Sequence, residues 1–217
     1  MAGLAATLAV AAPAAADRIA TETRIIDRFD RSVEGDRFGD FVFKGGLVVN
    51  GRGVVALSGA AVSRDGARLL AVGDRGAVVS ARLVFDAEGR LAGLDDVQLS
   101  RRVGAAGTPV RGKADEDAEA LVRLPDGTWL VAVEQLLAYD GGDGGPAGAP
   151  RVVDGPDRFS YFVGRGGLEA LAVAPAASPV AGSLFVFHEK PLIGETAIRA
   201  WRGEPVQGGE TPTFRVR

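Results

Sequence analysis

The sequence predicts an all-β protein, specifically an incomplete β-propeller with about three to four blades of four antiparallel strands each. Three observations carry this expectation. Glycine takes 31 of the 217 positions and is spread through short apolar runs, which favours many turns over long helices. A hairpin signature recurs along the chain, and the recurrence has the spacing of a four-stranded unit, about 50 to 60 residues. With 47% hydrophobic residues the chain can bury a sizeable core.

The elements follow in order. Residues 1–16, "MAGLAATLAVAAPAAA", form a small and apolar stretch ending in Ala14-Ala15-Ala16 before Asp17. This matches a secretory leader with an A-x-A cleavage site, although the basic residues expected ahead of it are missing. Export to the periplasm or medium is therefore expected, with residues 17–217 as the folded domain; a helical N-terminal arm is the alternative. Residues 18–44 contain two short strand signals, "TETRIIDRFD" and "FGDFVFKGG". "GGLVVNGRG" (45–53) offers an Asn50-Gly51 turn and lacks the Lys-Ser/Thr ending of a phosphate-binding loop.

From here the repeat begins. "GAAVSRDGARLLAVGDRG" (59–76) aligns with "EALVRLPDGTWLVAVEQ" (119–135): an apolar run, an Asp-Gly turn, then Leu-x-Ala-Val. A third copy, "LEALAVAPAASPVAGSLFVFHEK" (168–190), has a longer, Pro-rich turn. Each copy reads as a hairpin in which Asp65-Gly66 and Asp126-Gly127 supply the positive-φ turn. Between the copies, "AVVSARLVFDAEGRLAGLDDVQLS" (77–100) carries a hairpin signal at Glu88-Gly89, and "LLAYDGGDGGPAGAPRVVD" (136–154) reads as two strands joined by a Gly-rich loop. Apolar first and second strands followed by more polar ones fit the inner and outer strands of propeller blades. A β-sandwich would explain the hairpins but not their recurrence. The unit count falls below the four to eight blades of a closed propeller, so a truncated member is expected.

Composition removes several functions. With 25 basic and 28 acidic residues the net charge is −3, which gives no general field for nucleic acid or anionic lipid. No apolar stretch has the length of a membrane span. The absence of cysteine excludes thiolate metal sites and cysteine nucleophiles. A monomer acting on a phosphorylated small molecule is compatible with these limits.

At "LSGAAVSRDGARLLAVGDRG", "ADEDAEALVRLPDGTWLVAVE" and "GGLEALAVAP" the chain resembles the phytase-like family of exported bacterial propellers, also labelled esterase-like activity of phytase; the likeness spans about residues 38–202. The order Ser-Gly, Asp-Arg-Gly, Asp-x-Glu-Ala-Leu, Gly-Leu-Glu-Ala-Leu carries it. The resemblance implies a β-propeller, export and calcium-assisted hydrolysis of phosphate monoesters. The chain is shorter than such domains usually are.

In an antiparallel hairpin, the start of the first strand lies beside the end of the second. First strands begin at Ser58, Glu119 and Glu169, and second strands end at Asp74, Glu134 and Glu189. These positions should face one opening, with Asp115 and Asp117 ahead of Glu119 and with Arg75 and Lys190 next to two of the acids. Clustered carboxylates without Cys or His suit Ca²⁺. Asp74, Asp117, Glu119, Glu134, Glu169 and Glu189 are the expected ligands, and Arg75 and Lys190 would hold the outer oxygens of a phosphate. The plainer alternative is that these acids are solvated hairpin ends.

Other residues point less far. His188, the single histidine, reads as structural, and Ser58 in "ALSGA" lacks the first glycine of a nucleophile elbow, which argues against a Ser58-His188-Asp triad. Trp129 and Trp201 read as blade packing. The sequence singles out no catalytic nucleophile. It leaves two functions open, a calcium-assisted phosphoric-ester hydrolase and a non-catalytic binding module of the cell envelope, with an inactive fragment as a third outcome.

Overall fold

A computed structural model of the protein describes residues 16–29, 32, 35–104, 107–141, 144–153, 167–189, 200–203 and 214–215. Residues 1–15 of the expected leader, Lys190, and Gly142 and Asp143 of the Gly-rich loop lie outside these. The described residues form antiparallel sheets with one short α-helical turn and one 3-10 turn. None of the helices described is long and apolar enough to cross a membrane.

The chain opens with β1 (Asp17–Arg18), β2 (Thr21–Ile26), the small hairpin β3 (Arg37–Phe38) and β4 (Phe41–Val42), and β5 (Gly46–Gly51). β2 pairs with β5, through Thr21↔Gly51 at one end and Ile26↔Gly46 at the other. Asn50 and Gly51 are therefore strand residues and not the turn expected of them. The turn comes one step later, closed by Val54 N–H to the Gly51 carbonyl, with Gly53 at φ +81°. Pairing with Thr21 and Glu22 claims the two residues that local propensity assigns to the bend.

Three meander sheets follow. The first joins β6 (Leu57–Val62), β7 (Arg68–Gly73), β8 (Ala77–Phe85) and β9 (Leu91–Arg101), with β1 added outside β9 as a fifth strand. The second joins β10 (Ala120–Arg123), β11 (Trp129–Ala132), β12 (Leu136–Asp140) and β13 (Ala147–Val152). The third joins β14 (Leu168–Val173), β15 (Leu184–His188), β16 (Ala200–Gly203) and β17 (Phe214–Arg215). β10, the first strand of the second sheet, lies against both β6 and β14, the first strands of the other two, and this line of first strands is here called the axis.

The repeated hairpins form as expected, but the Asp-Gly turns work differently. Only the glycines take positive φ, +74° at Gly66 and +94° at Gly127. The aspartates act through their carboxylates, which accept from the N–H two residues on: Ala67 to Asp65 Oδ1 at 3.1 Å and Thr128 to Asp126 Oδ1 at 2.9 Å. Asp86 repeats the device between β8 and β9, accepting from Glu88 and Arg90. This is the local bonding that makes Asp a turn residue. The Ser63 hydroxyl, and after it the Ala67 N–H, hold the Asp65 carboxyl below its ordinary range.

The core lies between sheets. Trp129, Val131, Leu137 and Tyr139 of the second sheet pack with Leu70, Val72 and Val78 of the first. The alternate residues Leu130, Ala132, Leu136 and Ala138 turn to the opposite face and meet Leu168, Leu184, Val186 and Trp201 of the third. At roughly 1.5–3 kcal/mol for each large buried side chain, these two layers are the main stabilising term. The two tryptophans are 5% and 1% exposed, as expected of packing residues.

Two of the first strands, β6 and β14, differ from the expected apolar packing and carry several exposed residues, while β10 keeps Ala120 and Leu121 buried. In β14, Leu168 is fully buried while Glu169, Ala170 and Ala172 are exposed. A Cβ added at Gly59 would stand 2.5 Å from the Leu121 N and 2.7 Å from the Ala120 carbonyl carbon of β10. Only glycine permits that approach of the two backbones.

Two substitutions separate this constraint from turn strain. Gly59→Ala should lower stability in urea unfolding by about 1–3 kcal/mol through overpacking against backbone. Gly66→Ala meets no atom within 4 Å but must hold φ +74°, and should cost about 1–2 kcal/mol from the left-handed conformation alone.

Candidate functional site

The axis end at which β6, β10 and β14 begin is shaped by irregular pairing. In the first sheet Leu57 pairs with Gly73 but Gly59 with Val72, leaving Ser58 as an extra residue. In the third, Leu168 pairs with His188 but Ala170 with Phe187, leaving Glu169 as the extra residue. In the second, Glu119 directly precedes β10, and its N–H bonds to the carbonyl of Ala132, the partner of Ala120. A β-bulge re-aims the side chain of its extra residue and bends the strand. Ser58 and Glu169, aligned in the sequence repeat, are thus matched bulge residues, and Glu119 holds the corresponding place.

The strand ends opposite are tied in. The Asp74 N–H reaches the Ala56 carbonyl at 3.3 Å, and the Glu189 N–H reaches the Gly167 carbonyl at 3.2 Å. Each acid thus stands beside the start of its sheet's first strand. The electrostatics at Glu119 show how these ends converge. Burial raises its pKa above the ordinary range first, and the charges of Glu169, Asp117, Asp74 and Glu189 raise it further. Acids of all three sheets therefore act on one half-buried carboxyl. Neither Glu119 nor Asp74 makes an ion pair or side-chain hydrogen bond with the described residues.

Glu134 is placed differently. Its Oε2 is buried without a hydrogen-bond partner among the described residues, and it lies against Gly167, 3.7 Å from where a Cβ there would stand. It sits between the second and third sheets.

The first sheet's end holds backbone strain. Ala56 has φ +43° and Arg75 φ +58°, two of the three non-glycine residues with positive φ among those described. They flank the Asp74–Ala56 hydrogen bond, and a Cβ at Gly73 would stand 2.4 Å from the Ala56 carbonyl oxygen. Such strain costs about 1–3 kcal/mol per residue and collects at functional sites. Arg75 is exposed and makes no ion pair with the described residues. Lys190, its expected counterpart, lies outside them.

Ser58 and His188 do not form a pair among the described residues. The Ser58 hydroxyl donates to the Ala56 carbonyl at 3.5 Å and to no histidine. His188 is 3% exposed, packed edge-on against Trp201 at 4.6 Å, and burial lowers its pKa to about 4. It is neutral at ordinary pH and structural in placement.

Sequence reasoning missed Arg102. This guanidinium is 1% exposed, donates to the Tyr139 hydroxyl at 3.1 Å and to the Asp115 carbonyl, and has no carboxylate partner among the described residues. Strand alternation could have placed it, since Val97 and Leu99 face one side and Gln98, Ser100 and Arg102 the other. That second face is polar, however, and reads as solvent-exposed.

Carboxylate oxygens are hard donors, and their chemistry suits a hard ion such as Ca²⁺. Among the described residues no three acids or histidines stand close enough to surround one ion.

The family model "Phytase-like: Esterase-like activity of phytase" matches residues 52–215. No curated protein matches the chain. The solved structure of a luciferin-regenerating enzyme aligns with 89% of this chain at 14% identity and a TM-score of 0.45. The chain spans 64% of the length of that structure.

Two titrations follow from the site. A carboxyl with a raised folded pKa binds more protons folded than unfolded, so its contribution weakens stability as pH rises from about 4.5 through the raised value. In chelator at pH 7, Glu119→Gln should therefore melt about 1–3 °C above the wild type, and the gap should close near pH 4. His188 acts in the opposite direction: the unfolded chain protonates near 6.5 and the folded one near 4, so its contribution is lost as pH falls between them. His188→Gln should remove that loss from the pH profile of the melting temperature.

Proposed function

The chain belongs to the phytase-like family, and on that footing we propose that it is an exported phosphoric-ester hydrolase of phytase type whose acidic axis end takes up calcium. The supporting observation is the convergence on Glu119 of charges from three sheets, with burial and like charge as its leading influences. Like charge gathered at one carboxyl costs stability, and a bound cation offsets that cost. In this reading the three meanders are blades of a propeller, and β6, β10 and β14 are their inner strands.

Of Asp74, Asp117, Glu119, Glu169 and Glu189, two at most would touch the ion directly and the others would act on it through charge or bridging water, with Glu134 at the margin. When bound, calcium supplies positive charge that polarises a phosphate and lowers the pKa of a coordinated water. The chain's own contribution is to hold and orient. Arg75, exposed next to Asp74, donates to the outer oxygens of the phosphate, as Lys190 does in the same scheme. The bulges at Ser58 and Glu169 aim side chains into the opening. The leader expected at residues 1–16 directs the protein to the periplasm or medium, where it acts as a monomer on a phosphorylated small molecule.

A binding module without catalysis is the second reading. It is favoured by the lack of any three acids or histidines around one point among the described residues and by the buried, neutral His188. Such a protein takes up cation or ligand at the same opening and transforms nothing.

Calorimetric titration of residues 17–217 with Ca²⁺, paired with phosphate release from phytate, separates the readings. The hydrolase should bind saturably and release phosphate only with the ion. Glu119→Gln and Glu169→Gln should each weaken binding about tenfold, equivalent to about 1.4 kcal/mol. Binding without release would support the module, and a folded protein that binds no calcium would overturn the acidic-site mechanism.

A further inference from the structure

The buried guanidinium of Arg102 has no role in the reading above, and its placement asks for one. A fully buried charge with neutral partners is poor evidence of a stabilising contact, because desolvation opposes the hydrogen bonds gained. Arg102 directly follows β9, and it joins four parts of the molecule. Its N–H bonds to the Gly76 carbonyl at 2.8 Å, holding the end of the Asp74–Gly76 turn. Its own carbonyl accepts from Val110 at 3.1 Å. Its side chain reaches across to Tyr139 of β12 in the second sheet and to the carbonyl of Asp115 in α1 (Lys113–Glu116).

The parts it joins bear the acids. Asp74 lies two residues from Gly76, while Asp117 and Glu119 follow Asp115 by two and four. The turn at Asp74–Gly76 and α1 also lie against each other. Beside Arg102, Arg101 reaches Glu116 of the same helical turn at 3.8 Å. Two adjacent arginines thus grip one turn, the first from the surface and the second from within. Tyr139 is fully buried, and burial raises its pKa, with Arg102 pulling it back and Asp115 adding to the rise.

We propose that Arg102 is a positioning residue for the acidic opening: it locks the Asp74–Gly76 turn and the Asp115–Glu119 segment into one frame and so sets the spacing of Asp74, Asp117 and Glu119. The inference rests on the reading that this opening binds a cation. Its planar fork suits the task, since one side chain serves two acceptors in fixed directions, which a lysine ammonium does not.

The test compares wild type, Arg102→Gln, Arg102→Lys, Tyr139→Phe and the core variant Val186→Ala, all at a temperature well below every melting point. Two readouts are taken: calcium affinity by calorimetry, and titration of the Glu119 carboxyl by NMR in chelator. Arg102→Gln should weaken calcium binding about tenfold and shift the Glu119 titration, with Arg102→Lys giving little rescue and Tyr139→Phe a smaller loss of the same kind. Val186→Ala, which lowers the melting temperature from a different packing layer, should change neither readout. If Arg102→Gln does not fold, Arg102→Lys and Tyr139→Phe carry the comparison. Equal affinities and unchanged Glu119 titration across the Arg102 and Tyr139 variants would overturn the proposal. If the wild type binds no calcium, the functional reading fails, and the Glu119 titration alone decides: a shift on loss of Arg102 upholds the positioning role and no shift removes it.

Discussion

The second sheet is packed on both faces, and that double burial determines where the other parts stand. Trp129 and Val131 lean on the first sheet while Leu130 and Ala132, their neighbours in sequence, lean on the third. A strand buried on both sides cannot shift register by one residue without exchanging the two layers. The pairing of β10 with β11 is therefore held by packing as well as by hydrogen bonds, and the first and third sheets are positioned through it. A sheet solvated on one face would leave its neighbours free to choose their angle; this one does not.

Because the first strands lie at the axis between these layers, they have little room. Gly59 crosses Ala120 and Leu121 at a distance no Cβ tolerates, and Gly73 does the same against Ala56. Crowding of the strand starts brings the bulges at Ser58 and Glu169 and the preceding acid Glu119 close enough for charge to act between sheets. The apolar layers hold together what the carboxylates oppose. The left-handed backbone at Ala56 and Arg75 is a second local cost on the same end of the molecule. A site in which like charge and strain accumulate is stabilised elsewhere, and here that stability lies in the two interlayer cores.

Much of this was legible beforehand. Asp-Gly pairs, the Leu-x-Ala-Val pattern and the Glu-Ala-Leu starts disclose the hairpins, and their alignment puts Ser58, Glu119 and Glu169 in equivalent positions. The grouping of acids from separate repeats followed from hairpin geometry, since strand starts and ends must lie side by side. The Asn50-Gly51 turn was misread because pairing with β2 outweighs local turn propensity. Arg102 escaped notice because its face of β9 is polar, and polarity in a strand ordinarily means water. Glu134 was grouped with the other acids by spacing, yet its Oε2 lies buried against Gly167.

By itself the sequence determined the strand inventory, the hairpin pairing, the family resemblance and the identity of the acids, because each depends on local periodicity or on residues close along the chain. Only the tertiary structure decided which acids act on Glu119, that the strand starts bulge, and that a buried arginine joins two acid-bearing segments. Those depend on contacts between residues far apart in sequence, whose distances are set by how the sheets pack and not by any pattern within one of them.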